Sequence, residues 1–108
     1  MHYEQSIRKL KHRLHDHFGN ALNQVIVFGS VARGAVTADS DIDLIIVLDD
    51  DLTEINWRVE DAILDLAYPL ELEDDVIFDL KVMGKQAMQE KFRDMPLIER
   101  VRQEGIIV

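Results

Sequence analysis

Hydrophobic positions change their period several times along the chain, and each change marks an element. Tyr3, Ile7, Leu10, Leu14 and Phe18 recur at helical spacing, with Lys9, Lys11 and Arg13 on the wetter side. This predicts an amphipathic helix from Tyr3 to Phe18, stopped by Gly19-Asn20. Leu22 to Phe28 is rich in Val and Ile and predicts a short strand ended by Gly29. The stretch from Ser30 to Ser40 reads as loop and turn, and Asp41 to Leu48 is the most apolar strand candidate. Asp49-Asp50-Asp51 ends that strand, and Asp51 with Glu54 resembles a capping box. The helix it would start has Ile55, Val59, Ala62, Ile63 and Leu66 on its apolar face, and Pro69 is expected to limit its length. From Val76 to Met83 the period returns to two, with Val76, Phe78, Leu80 and Val82 on one face and Asp79 and Lys81 on the other. Gly84 begins the departure from this strand. Helices are expected through about Phe92 and from Pro96 to Gln103, with Gly105 setting off the apolar tail Ile106-Ile107-Val108.

The order helix, strand, strand, helix, strand, helix predicts an α/β (α+β) fold, a small mixed sheet with helices packed mainly on one side. Strand pairing is not fixed by these patterns. At 108 residues, with no repeat or low-complexity linker, residues 1–108 are expected to form a single domain. Hydrophobic residues at 47% and charged ones at 31% suit a folded core and not an acidic disordered tail.

Charge and cysteine content narrow the function classes. With no cysteine, disulfides and thiolate metal centres are excluded. No apolar run reaches the roughly 20 residues that cross a bilayer, and the N-terminus lacks a signal-peptide pattern, so a cytoplasmic protein without a membrane partner is expected. Asp and Glu number 21 against 12 Lys and Arg, a formal net charge of -9. That field opposes duplex DNA, whose backbone is held by arrays of Lys and Arg, and would steer a basic protein partner.

The candidate chemistry lies in Gly29-Ser30 and in Asp41 and Asp43. In a strand, Asp41 and Asp43 fall on one side, so both carboxylates can address one hard cation such as magnesium. Gly29 permits a tight turn close to phosphate, and Ser30 offers a hydroxyl or backbone donor to phosphate oxygens. A short helix starting after Ser30 would strengthen that anion site. Asp79 interrupts an apolar run and is the leading third acid, with Asp74 and Asp75 as alternatives. Arg33 can meet triphosphate or acceptor, or pair with Asp39 or another surface acid. His12, His15 and His17 do not share one helical side, which favours a surface role over a zinc centre. The Asp49–Asp51 run fits a helix start better than a calcium loop, and Trp57 and Tyr68 suit packing or a protein contact better than base stacking.

Taken together, Gly29-Ser30-Val31-Ala32-Arg33-Gly34, the spacer through Asp39, and Ser40-Asp41-Ile42-Asp43-Leu44 resemble the motif of minimal nucleotidyltransferases in the DNA polymerase beta-like superfamily. Val31 stands where these proteins often carry a larger or basic residue. The resemblance implies the nucleotidyltransferase fold and transfer of a nucleoside monophosphate from a nucleoside triphosphate, with ATP the donor it favours. It implies that Gly29, Ser30 and Arg33 receive phosphate. It further implies that Asp41, Asp43 and Asp79 form the catalytic and metal-binding set for magnesium, two ions during turnover. No Gly-Lys followed by Ser or Thr occurs at P-loop spacing.

In size the chain is similar to the antitoxin of two-gene modules whose partner is a helical HEPN-domain ribonuclease toxin, neutralised by AMP transfer. The resemblance therefore implies a protein acceptor, either that toxin or another basic protein, with a homo-oligomer also possible. Two other readings are nucleotidyl transfer to a small molecule in an oligomer cleft, and a nonenzymatic antitoxin that acts by binding alone.

Overall fold

A computed structural model describes residues 1–37 and 41–108. The elements are α1 (Glu4–Phe18), a 3-10 turn (Gly19–Ala21), β1 (Leu22–Phe28), α2 (Gly29–Arg33), β2 (Ile42–Leu48), α3 (Trp57–Asp74), β3 (Phe78–Gly84), α4 (Lys85–Gln89), α5 (Pro96–Glu104) and β4 (Ile106–Ile107). The four strands form one mixed sheet in the order β3-β2-β1-β4. β1 runs antiparallel to both β2 and β4, while β2 and β3 are parallel.

Alternation along β2 divides the interior in two. Ile42, Leu44, Ile46 and Leu48 point to one face with Val25 and Val27 of β1, under Ile7, Leu10 and Leu14 of α1 and Ile63, Ala67 and Leu70 of α3. Ile45 and Val47 point the other way, with Ile26 and Phe28, under Ile98 and Val101 of α5. The two long helices thus cover one face and α5 covers part of the second, in keeping with the expected α/β arrangement. Burying each Leu or Ile contributes about 1.5–3 kcal/mol, so the first face carries most of the fold's stabilisation. Outside that core, Asp74 ties α3 to α1, accepting from the Ser6 hydroxyl at 2.7 Å and from Lys9 Nζ at 3.0 Å.

Two local expectations are corrected. The cap of α3 is Asn56, whose Oδ1 accepts from the N–H groups of Arg58 and Val59 at 3.1 and 3.3 Å, and not the Asp51/Glu54 box. The acids serve other donors. Asp49 Oδ1 accepts from Asp51 N–H at 2.9 Å, and Asp50 accepts from the Gln86 and Ala87 N–H groups at the start of α4 at 3.1 and 3.3 Å. Secondly, α3 continues through Pro69 to Asp74. The ring is exposed, so the carbonyl it leaves without an N–H partner faces water, while Ala67 and Leu70 hold the helix to the core on either side. The tail after Gly105 forms β4, a pairing with β1 that the apolar tail alone did not predict.

Candidate active site

The site is assembled at the end of the sheet where β1 finishes and β2 and β3 begin. Phe28 is paired with Asp43, and Asp43 with Asp79. The parallel β2–β3 register therefore brings together two carboxylates from segments separated by the whole of α3. It also sets Asp79 and Lys81 on the same face as Asp43, since the two strands alternate in phase. Of the expected third acids, Asp79 is the neighbour of Asp43, whereas Asp74 belongs to the α1–α3 tie.

Gly29 makes this approach sterically feasible. Its φ of +70° lies in the left-handed region, and a Cβ placed there would overlap the Asp43 carboxylate. Gly29 opens the five-residue helix α2, which is ended by Gly34 at φ +72°. The stretch from Ser30 was expected to be loop and turn; its first residues are instead helical, in a helix that begins at Gly29.

Burial, first, pushes the Asp43 carboxyl above the ordinary carboxylate range, reinforced by the charge of Asp79, a hydrogen bond with it and the charge of Asp41, with Lys81 opposing. Asp79 moves the other way. The hydrogen bond from Lys81 Nζ, 2.9 Å from Asp79 Oδ1, holds it low against burial, helped by the lysine charge and the bond with Asp43. The two shifts in opposite directions are the mark of like charges held close together. Two such carboxylates have the hard oxygen donors, and the local excess of negative charge, that suit a divalent cation.

Asp41 stands one residue before β2 and is exposed. Among the described residues no three His, Cys, Asp or Glu side chains gather tightly enough to hold a metal ion unaided. Such a pair suits magnesium, which completes its octahedron with water and substrate phosphate oxygens. Asp39 and Ser40, the spacer end and the serine of the motif, lie outside the described residues.

Sequence reading missed Glu104 and Arg100, both on α5. Glu104 Oε1 accepts from the Gly29 N–H at 3.1 Å and from Arg33 Nη1 at 3.0 Å, so Arg33 is paired across the turn. Burial raises the Glu104 carboxyl, but Arg33, the Gly29 N–H and the charge of Arg100 outweigh it, and the net displacement is downward. Neither residue carried a sequence signal, because polar positions on an amphipathic helix need no special explanation.

Gly29, Ser30, Arg33, Asp43, Asp79 and Lys81 line one cleft of about 470 Å³, closed on the α5 side by Leu97 and Arg100. Other clefts of 410–420 Å³ exist among the described residues, so size does not single this one out. Its content does: the neighbouring carboxylates of Asp43 and Asp79 share its lining with Arg33, Lys81 and Arg100, groups suited to a cation and to phosphate respectively. His12, His15 and His17 of α1 are elsewhere, with His12 beside Asp16 on the exposed side of the helix.

Residues 7–108 match the nucleotidyltransferase domain family. A curated relative from Methanocaldococcus jannaschii, MJ0604, provisionally named a protein adenylyltransferase, is 31% identical over 91 residues, covering 84% of this chain and 83% of its own. Two solved structures are also similar. One is a toxin-antitoxin with AMP-PNP, with a TM-score of 0.54 and 23% identity over 97% of this chain and 71% of the other. The second is a protein from Sulfolobus solfataricus provisionally described as a nucleotidyltransferase, with a TM-score of 0.51 and 25% identity over 96% of this chain and 82% of its own. Among the described residues no helix is long and apolar enough to cross a membrane.

Proposed function

The chain belongs to the nucleotidyltransferase domain family and is a nucleotidyltransferase; from that premise we propose that it moves AMP from ATP to a hydroxyl of a partner protein. The observation that carries this reading is the register that sets Asp79 beside Asp43 next to the Gly29 turn. A protein acceptor is supported by the provisional name of the M. jannaschii relative, and ATP by the AMP-PNP in the toxin-antitoxin neighbour. The same neighbour favours a toxin as the partner, and the resemblance of the motif favours one of HEPN type, which AMP transfer would neutralise in the cytoplasm.

In this mechanism Asp41, Asp43 and Asp79 would hold magnesium, and Gly29, Ser30 and Arg33 would receive the triphosphate. Bound magnesium would offset the charge of the phosphates and of the departing pyrophosphate. The acceptor oxygen forms a bond to the α-phosphorus as the bond from that phosphorus to the bridging oxygen breaks, and pyrophosphate leaves with the electron pair. The hydroxyl proton passes to Asp79, which Lys81 keeps in its carboxylate form. No protein nucleophile is required, since positioning and charge stabilisation carry in-line phosphoryl transfer.

Purified protein, ATP, magnesium and the purified product of the adjacent gene are to be mixed and followed by intact mass. A mass increase of one or more AMP units on the partner, lost on chelation of magnesium, is the expected result. A folded complex that gains no nucleotide would overturn the protein acceptor and leave transfer to a small molecule, or inhibition by binding alone, as the remaining readings.

A further inference from the structure

The outward face of α3 takes no part in the catalytic cleft, yet it is apolar along a line. Trp57, Leu64, Tyr68 and Leu72 stand seven, four and four residues apart, which places them within one stripe of the helix. They are 66%, 55%, 61% and 67% exposed, while the opposite face of the same helix buries Ile63, Ala67 and Leu70. The stripe is therefore surplus to the core. Large side chains aligned on a surface, unlike single scattered ones, mark a contact site.

Charge defines what the stripe accepts. Glu60 and Asp65 flank it and Asp61 lies within it between Trp57 and Leu64, all three exposed, while Glu73 is paired with Arg13 of α1 at 3.5 Å; Arg58, lying over the Trp57 ring at 5.5 Å from its centroid, is the one base on the helix. Along the Glu60 edge, Leu64 closes a groove of about 420 Å³ against the sheet-edge strand β3, with Leu80, Val82, Met95 and Leu97 in its walls. Lys81 and Leu97 line both this groove and the catalytic cleft, so the groove adjoins the cleft that holds Asp79.

We propose that the α3 stripe and its adjoining groove form the docking surface for a basic amphipathic helix of the acceptor protein, delivering the acceptor to the Asp43–Asp79 cleft. This rests on the protein-acceptor reading above. Complementarity selects the occupant: apolar side chains meet the stripe while Lys or Arg meet its acidic borders. A second copy is the wrong partner, because an isologous contact would set this acidic border against itself in chains that each carry a net charge of -9.

The test uses a synthetic amphipathic helical peptide with Leu on one face and Lys on the other, and a counterpart carrying Glu in place of Lys. Binding is measured by calorimetry to the full chain and to three double or single variants. Leu64→Ser with Tyr68→Ser leaves the charge untouched and should weaken the Lys peptide by about tenfold or more, with magnesium-ATP binding unchanged. Glu60→Lys with Asp65→Lys should weaken the Lys peptide and admit the Glu peptide. Asp43→Asn should bind the Lys peptide as the parent does while losing nucleotide transfer, so that failure of the chemistry and failure of docking are read separately. Should the serine variant fail to fold, as judged by circular dichroism, Trp57→Ser with Leu72→Ser replaces it, since these are the two most exposed members. Equal binding by the parent and serine variants, or no binding by the parent, overturns the proposal. So does a parent that sediments as a dimer and becomes monomeric on serine substitution, which would make the stripe a contact between copies.

Discussion

β2 is acidic at both ends, and the two ends use their carboxylates in opposite ways. At its C-terminal end Asp50 backs onto Gly84, where a Cβ would overlap its carboxylate, and it receives the N–H groups of Gln86 and Ala87. The Gln86 donor, first, draws its carboxyl below the ordinary range, against some burial and with help from Ala87 and its own N–H. At the N-terminal end Asp43 backs onto Gly29 in the same manner, but its nearest polar neighbour is another acid, and its carboxyl is pushed up. An acid supplied with donors fastens the chain. An acid set against another acid is left needing a cation, which is the property a metal-dependent transferase requires.

The most decisive way to break this contrast is to neutralise each end in turn. Asp43→Asn is expected to lower AMP transfer by at least about 10²–10³-fold while the thermal midpoint holds or rises, because a like-charge contact is removed. Asp50→Asn should do the reverse, keeping transfer and lowering the midpoint. Initial rates and calorimetric unfolding of both variants decide it.

The paired glycines sharpen it further. Gly29→Ala adds left-handed strain of about 1–2 kcal/mol and displaces Asp43, so activity and stability should fall together. Gly84→Ala meets only Asp50 and should cost stability while leaving magnesium-ATP binding intact.

A smaller difference should appear in the pH dependence. For Asp50, with a folded pKa below its unfolded one, the stabilisation is present above the unfolded value of about 3.9 and is lost as pH falls through the folded value. Asp43 has the opposite sign: its ionised form penalises the fold above the unfolded value, and the penalty is relieved as pH falls through the raised folded value. Urea midpoints between pH 3 and 7 should therefore lose part of their acid-side decline in Asp50→Asn, and part of an opposing slope nearer neutrality in Asp43→Asn.

The smallest expected effect is that of Glu104→Gln. It keeps the shape of the Gly29 and Arg33 contact but removes a charge that competes with phosphate, so magnesium-ATP should bind a few-fold more tightly by calorimetry.

Much of this was readable from the residues. The strands β1 and β2 announce themselves because a core strand must be nearly continuously apolar, and Asp79 is visible because it interrupts the apolar run from Val76 to Phe78. The role of Asp49–Asp51 was not legible, since its donors at Gln86 and Ala87 lie more than thirty residues further on. A local capping pattern at Asp51 and Glu54 looks as good in sequence as the Asn56 cap that actually forms. The α5 contribution was hidden for a related reason: Glu104 matters only because Ile98 and Val101 dock the helix beside the Gly29 turn. The short β4 depends on the free edge of β1, which no pattern within Ile106-Ile107 describes.

The parallel alignment of β2 with β3 has an evolutionary consequence. Strand faces alternate, so a one-residue slip of β3 against β2 would turn Asp79 and Lys81 away from the cleft and bring Leu80 into it. A lineage that keeps the activity should therefore keep the length of β3 itself, whereas the connection at residues 75–77 can take up an added residue.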